Sequence, residues 1–142
     1  MIPNQWYVLL DSQQVKDEPV GVTRMGEKMV FWRDDTGKVG CLRDKCVHRG
    51  VQMSKGKVLD NGRLQCPFHG FQYNSSGAVQ VIPANGKHTP VPKHFRVQSY
   101  PTYEAHGFIW AWWGENPPAD LTPPRFFDNI GAGFSYGRVY DP

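Results

Sequence analysis

Four side chains in this sequence are suited to holding metal together. Cys46 and His48 lie in Cys46-Val47-His48-Arg49-Gly50, and Cys66 and His69 lie in Cys66-Pro67-Phe68-His69-Gly70. Thiolates are soft ligands for iron–sulfur clusters, zinc or Cu(I), and imidazole suits zinc, copper and iron. Two thiolates with two imidazoles leave two serious chemistries. One is a structural zinc site; the other is a [2Fe–2S] cluster in which histidine replaces cysteine on one iron.

The spacing bears on the choice. Zinc fingers usually pair like with like, with two cysteines on a turn and two histidines on a helix. Here each half contributes one of each type, which suits two facing loops that each give a thiolate to one iron and an imidazole to the other. Both halves also place glycine beside the histidine region, at Gly50 and Gly70. Glycine lets backbone pass close to a bulky centre and frees N–H groups to bond sulfur.

Cys-x-His, a seventeen-residue spacer and Cys-x-x-His, with Cys-Pro-x-His-Gly in the second half, resembles the Rieske family. The resemblance runs from about Trp6 to Gly114. It implies an all-β fold of antiparallel sheets, with a small cluster-binding subdomain at about residues 44–83 carrying two ligand loops. It also implies that Cys46 and Cys66 bind one iron of a Rieske-type [2Fe–2S] cluster and His48 and His69 the other.

The elements that must position these residues read as β-rich. Gly 15 and Pro 12 in 142 residues break helices and suit a loop-rich β domain. Strands are expected at Trp6–Leu10, Val20–Arg24, Lys28–Arg33 and Val39–Arg43. Turns are expected at Gly26-Glu27 and Asp34–Lys38. Arg63–Gln65 leads into the second ligand loop and Phe71–Tyr73 leads out, with Asn74–Gly77 turning into Ala78–Ile82. Short helical turns fit Ser12–Lys16 and Met53–Gly56.

The proline-containing loop Pro83–Pro92 is placed to shield one side of the cluster, or simply to connect strands. His88 and His94, in or beside it, read as solvated, and His106 as structural. Phe95–Tyr100 and Gly107–Gly114 read as a final strand pair in which Trp110 and Trp112 share a face and pack against a sheet. Cys41 reads as a buried small hydrophobe. The domain is taken as residues 1–114 and a Pro-rich linker with the start of a further segment as 115–142, where Phe126-Phe127 and Phe134–Tyr140 resume a strand-like pattern.

A net charge of +3 gives no reason to expect a nucleic-acid or membrane partner, and three cysteines make no disulfide framework. No apolar run approaches the ~20 residues of a membrane span, so a cytoplasmic location is expected. The cluster loops lack the additional cysteines of respiratory Rieske proteins. Cys46-Val47-His48-Arg49-Gly50 and Cys66-Pro67-Phe68-His69-Gly70-Phe71-Gln72-Tyr73 most resemble the N-terminal domain of Rieske non-haem iron oxygenases.

That resemblance implies one-electron transfer. The donor would be a reductase or ferredoxin. The acceptor would be a mononuclear iron oxygenase domain, in the same full-length chain or a separate one, with a homotrimer as the expected assembly. No paired His–carboxylate spacing for that second iron follows the Rieske motif, so no catalytic residue is assigned. A free-standing Rieske ferredoxin and a zinc-stapled binding module are the alternatives. Rieske centres span about −150 to about +300 mV. The low end is expected here, because Gly70-Phe71 offers no hydroxyl near the sulfides. Arg43, Lys45, Arg49, Lys55, Lys57 and Arg63 crowd the motif, either as a solvated charged surface or as a docking face for an acidic donor.

Overall fold

The computed structural model describes residues 2–117, 119 and 120. Among these there are ten strands and three single 3-10 turns, with no α-helix. The strands are β1 (Gln5–Asp11), β2 (Val20–Arg24), β3 (Glu27–Arg33), β4 (Val39–Arg43), β5 (Lys57–Val58), β6 (Leu64–Gln65), β7 (Gln72–Tyr73), β8 (Val79–Val81), β9 (Thr102–Ala105) and β10 (Phe108–Trp113). They form three antiparallel sheets ordered β1-β10-β9, β2-β3-β4 and β5-β6-β7-β8. The all-β expectation is borne out. Phe126-Phe127 and Phe134–Tyr140, where a strand-like pattern was expected, and most of the linker lie outside the described residues.

The second sheet is the shared wall of the molecule. Met29, Val30, Phe31 and Trp32 of β3 are all fully buried. Successive side chains of a strand point to opposite faces. Met29 and Phe31 therefore join Leu9, Leu10, Val39, Cys41 and Ile109 in one core, between the first and second sheets. Val30 and Trp32, with Leu42 of β4, join Met53, Leu64, Phe71, Tyr73 and both loop cysteines in another core, under the third sheet. Cys41 is thus a packing residue on the face turned away from the motif, as its sequence context implied.

Trp32 fixes the wall to the motif-bearing subdomain. Its indole Nε1–H donates to the Gly62 carbonyl at 2.9 Å in a buried setting. Across the ladder from it stands Gly40, where a methyl group would lie 2.9 Å from the Trp32 ring. Only glycine allows the ring to lie against that strand without displacement.

Two expectations need correction. Phe95–Tyr100 does not pair with the last strand; β9 does, one proline further on. The Phe95–Tyr100 segment instead straps the two halves together. Val79 N–H donates to Phe95 O and Val97 N–H to Gly77 O on one side, and Arg43 N–H donates to Gln98 O and Tyr100 N–H to Cys41 O on the other. Its backbone groups are shared between two neighbours, so no regular ladder forms.

In β10, Trp110 and Trp112 share a face as expected, but of the two only Trp110 is buried, at 5% exposed. Ile109 and Ala111 line the core, with Trp113 packed against them, while Trp112 meets the edge of Trp6 at 5.6 Å on the opposite face. Strand alternation defines the two faces but not which one turns inward. Both helical-turn expectations hold in reduced form, as 3-10 turns at Ser12–Gln14 and Met53–Lys55.

Replacing Trp32 by Phe removes the indole donor and leaves a buried carbonyl unpaired. The expected loss of stability is about 1–3 kcal/mol. Denaturant unfolding checks this; an unchanged midpoint would contradict the anchoring role.

Candidate metal centre

The two halves of the motif are closed by the same pair of backbone hydrogen bonds. In the first loop, Cys46 N–H donates to Val51 O at 2.8 Å and Gly50 N–H donates back to Cys46 O at 2.9 Å. In the second, Cys66 N–H donates to Phe71 O at 2.9 Å and Gly70 N–H to Cys66 O at 3.2 Å. The glycine four residues after each cysteine carries a positive φ, +70° at Gly50 and +74° at Gly70, which L side chains rarely adopt. At Gly70 a Cβ would also lie 3.1 Å from Pro83. The first proline of the Pro83–Pro92 loop thus covers the second ligand loop, while His88 and His94 stay exposed as expected.

This closure turns the cysteines inward and the histidines outward. Cys46 and Cys66 are 4% and 3% exposed, share one core cluster and are not joined in a disulfide. His48 and His69 are exposed, and their rings lie 4.6 Å apart at 64°. The buried Phe71 ring stacks on His48 at 4.9 Å, nearly parallel at 5°. Phe68, exposed, lies 4.0 Å from His69. The four residues named from the sequence thus stand as a buried thiol pair and an exposed imidazole pair.

The surroundings are arranged for sulfur that carries negative charge. Burial pushes the Cys66 thiol up, and the backbone N–H groups of Phe68 and His69 act against that shift. Tyr73 is fully buried; its hydroxyl accepts from Val47 N–H at 3.0 Å and lies 3.3 Å from the Cys46 sulfur. A metal-bound thiolate can only accept, so with Cys46 as a ligand the hydroxyl would be the donor of that contact. Burial, with the two thiols beside it, holds Tyr73 far above the usual phenol range, so it remains a donor.

Beneath the first loop, the buried Asp44 accepts from Ser54 N–H at 2.8 Å and from the Ser54 hydroxyl. That contact ties the loop to the Met53–Lys55 turn.

Tyr73 and Asp44 were not singled out from sequence. For Tyr73 a signal existed. It lies two residues after Phe71, so in an extended chain both face the same side, and that side holds the motif.

The donor set fits a two-iron centre. A structural zinc would draw all four donors onto one ion. Two thiols inside and two imidazoles outside match mixed ligation of a [2Fe–2S] group instead.

Residues 5–101 match the family described as Rieske [2Fe-2S] domain. The chain belongs to that family, whose cofactor is a Rieske-type [2Fe–2S] cluster. It is similar to chlorophyllide a oxygenase of Chlamydomonas reinhardtii, 39% identical over 121 residues, covering 84% of this chain and 18% of that protein. It is also similar to aminopyrrolnitrin oxygenase PrnD of Pseudomonas fluorescens, 34% identical over 122 residues, covering 83% and 33%.

Among solved structures, dicamba monooxygenase with non-heme iron and dicamba superposes with a TM-score of 0.78 at 29% identity, covering 93% of this chain and 40% of that one. The domain is therefore homologous to the Rieske domains of oxygenases. The chain spans between about a fifth and a third of the length of the two curated relatives named.

A hydrogen bond to a thiolate stabilises the more negative, reduced state. Tyr73→Phe is therefore expected to lower the midpoint potential. Taking ~1 kcal/mol for the lost bond, the shift is on the order of 40–50 mV for one electron. Potentiometric titration of both forms checks this. An unchanged or raised potential would contradict the role given to the hydroxyl.

Proposed function

We propose that this chain transfers one electron at a time, with Cys46 and Cys66 holding the inner iron of the cluster and His48 and His69 the outer one. The observation that carries this reading is the pairing of two buried thiols with two exposed imidazoles. When bound, the cluster supplies a reversible one-electron couple. The protein does the rest. Leu64, Phe71 and Tyr73 keep water from the sulfurs. The Tyr73 hydroxyl and the N–H groups of the second loop offset negative charge there. Phe71 fixes the His48 ring, and the exposed imidazole edges offer the shortest path to a partner.

In this reading the domain spans residues 1–114, followed by the linker segment 115–142. It works as the Rieske domain of a terminal oxygenase, supported by relatives that are named as oxygenases and monooxygenases. A reductase or ferredoxin supplies the electron and a mononuclear iron domain receives it, in a trimeric assembly. The potential lies at the low end of the Rieske range. None of the described helices is long and apolar enough to cross a membrane. A cytoplasmic location is part of the proposal, while the similar chlorophyllide a oxygenase is named as chloroplastic.

Anaerobic reductive titration followed by visible absorption, with iron and acid-labile sulfide assays, tests the function. The expected result is one electron taken up per two irons and two sulfides, lost in Cys66→Ser and in His69→Ala. One zinc per chain with no electron uptake would overturn it.

A further inference from the structure

The surface around the ligand loops is not uniform. A groove of about 420 Å³ runs along the first loop, with Cys46, Val47 and His48 in its lining and four cations around them: Arg43, Lys45, Arg49 and Arg96. No Asp or Glu lines it. The cations come from three separate stretches, the end of β4, the loop itself and the strap at Arg96, so the wall is fixed by the fold rather than by one mobile tail.

Arg43 is engaged with Glu27 at 3.4 Å, and Arg96 donates to Ser76 O at 3.1 Å. Among the described residues, the Lys45 and Arg49 side chains have no ion-pair or hydrogen-bonding partner. The second loop is flanked differently. Its groove, about 350 Å³, holds Lys55 and Lys57 as its only cations. His69 lines neither groove, and the exposed Phe68 ring lies 4.0 Å from it.

We infer that an acidic electron-donor protein docks in the groove beside the first ligand loop, against Lys45, Arg49 and Arg96. The side carrying His69 and the apolar Phe68 stays open for the acceptor. This rests on the electron-transfer reading above and gives it a direction across the domain. A carrier that must meet two partners gains from two faces of different character. Uncompensated cations around a concave wall steer an acidic partner and set its orientation, whereas an apolar side chain does neither at a distance. The donor would then approach the centre from the Cys46 side, where Val47 N–H, the Tyr73 hydroxyl and the Cys46 sulfur are joined by hydrogen bonds.

The test uses the cluster-loaded chain and an acidic [2Fe–2S] ferredoxin kept reduced by its reductase, with stopped-flow detection. Photoreduced deazaflavin, a small donor without a docking face, serves as the comparison. Arg96→Glu, distant in sequence from both ligand loops, decides the matter; Lys45→Glu supports it. Each is expected to lower the second-order rate with ferredoxin about three- to tenfold at low salt and to flatten its salt dependence. Each should leave the deazaflavin rate unchanged. Lys16→Glu, exposed beside Val15 of the far core, and Lys55→Glu should change the ferredoxin rate less than twofold.

An equal loss in Lys55→Glu, a loss confined to Phe68→Ala, or a rate independent of salt would overturn the groove. So would a loss with both donors in Arg96→Glu, since the residue would then be acting on the centre itself. Failure of the unsubstituted chain to accept electrons from deazaflavin would instead overturn the electron-transfer reading on which the groove rests.

Discussion

Two thiols must be buried side by side while two imidazoles, only two and three residues further along, remain in water. Everything near the motif follows from that requirement. An ordinary strand cannot meet it, because alternation would send residues two apart to the same face. Each loop instead closes on itself, from the cysteine N–H to the residue five ahead and from the glycine four ahead back to the cysteine. The chain reverses within that span and the histidine is carried outward. The positive φ at Gly50 and Gly70 is what makes so tight a closure possible.

The closure needs a firm base, and β3 supplies it. A strand buried on both faces has little freedom to shift, because a slip of one residue would exchange the contents of two cores. Trp32 and its bond to Gly62 carry that rigidity into the subdomain, and the Phe95–Tyr100 strap joins the same two parts from the other side. Burial of the thiols has an electrostatic cost, since a thiolate loses its water. The Tyr73 hydroxyl and the loop N–H groups offset part of it. Histidine, neutral where a third and fourth thiolate would be anionic, lowers the total charge that has to be accommodated.

The candidate site was legible in the sequence for a simple reason. Cysteine and histidine are scarce here, three and five in 142 residues, and four of the eight fall in two short motifs with glycine at matching places. The hairpins were legible because glycine and Asp/Asn clusters punctuate apolar runs. The less legible parts all turn on which neighbour a strand meets. Phe95–Tyr100 has a strand-like composition, yet its partners are Gly77–Val79 on one side and β4 on the other, which no local pattern encodes. Trp110 and Trp112 could be put on one face, but not separated into a buried Trp110 and a half-buried Trp112. Tyr73 looked like an ordinary strand aromatic, because its importance lies in where one oxygen ends, 3.3 Å from a sulfur twenty-seven residues earlier. Phe71 brings no hydroxyl to the sulfurs, which favours a low potential, and the Tyr73 hydroxyl on Cys46 raises it from there.

The account stands on mixed ligation by one inner pair of thiolates and one outer pair of imidazoles. Electron paramagnetic resonance of the purified, dithionite-reduced protein tests that most directly. A rhombic signal with an average g below that of all-cysteine [2Fe–2S] clusters is the predicted result. No signal, with one zinc per chain, would mean that the four residues form a structural staple, and the electron-transfer account would be contradicted at its base.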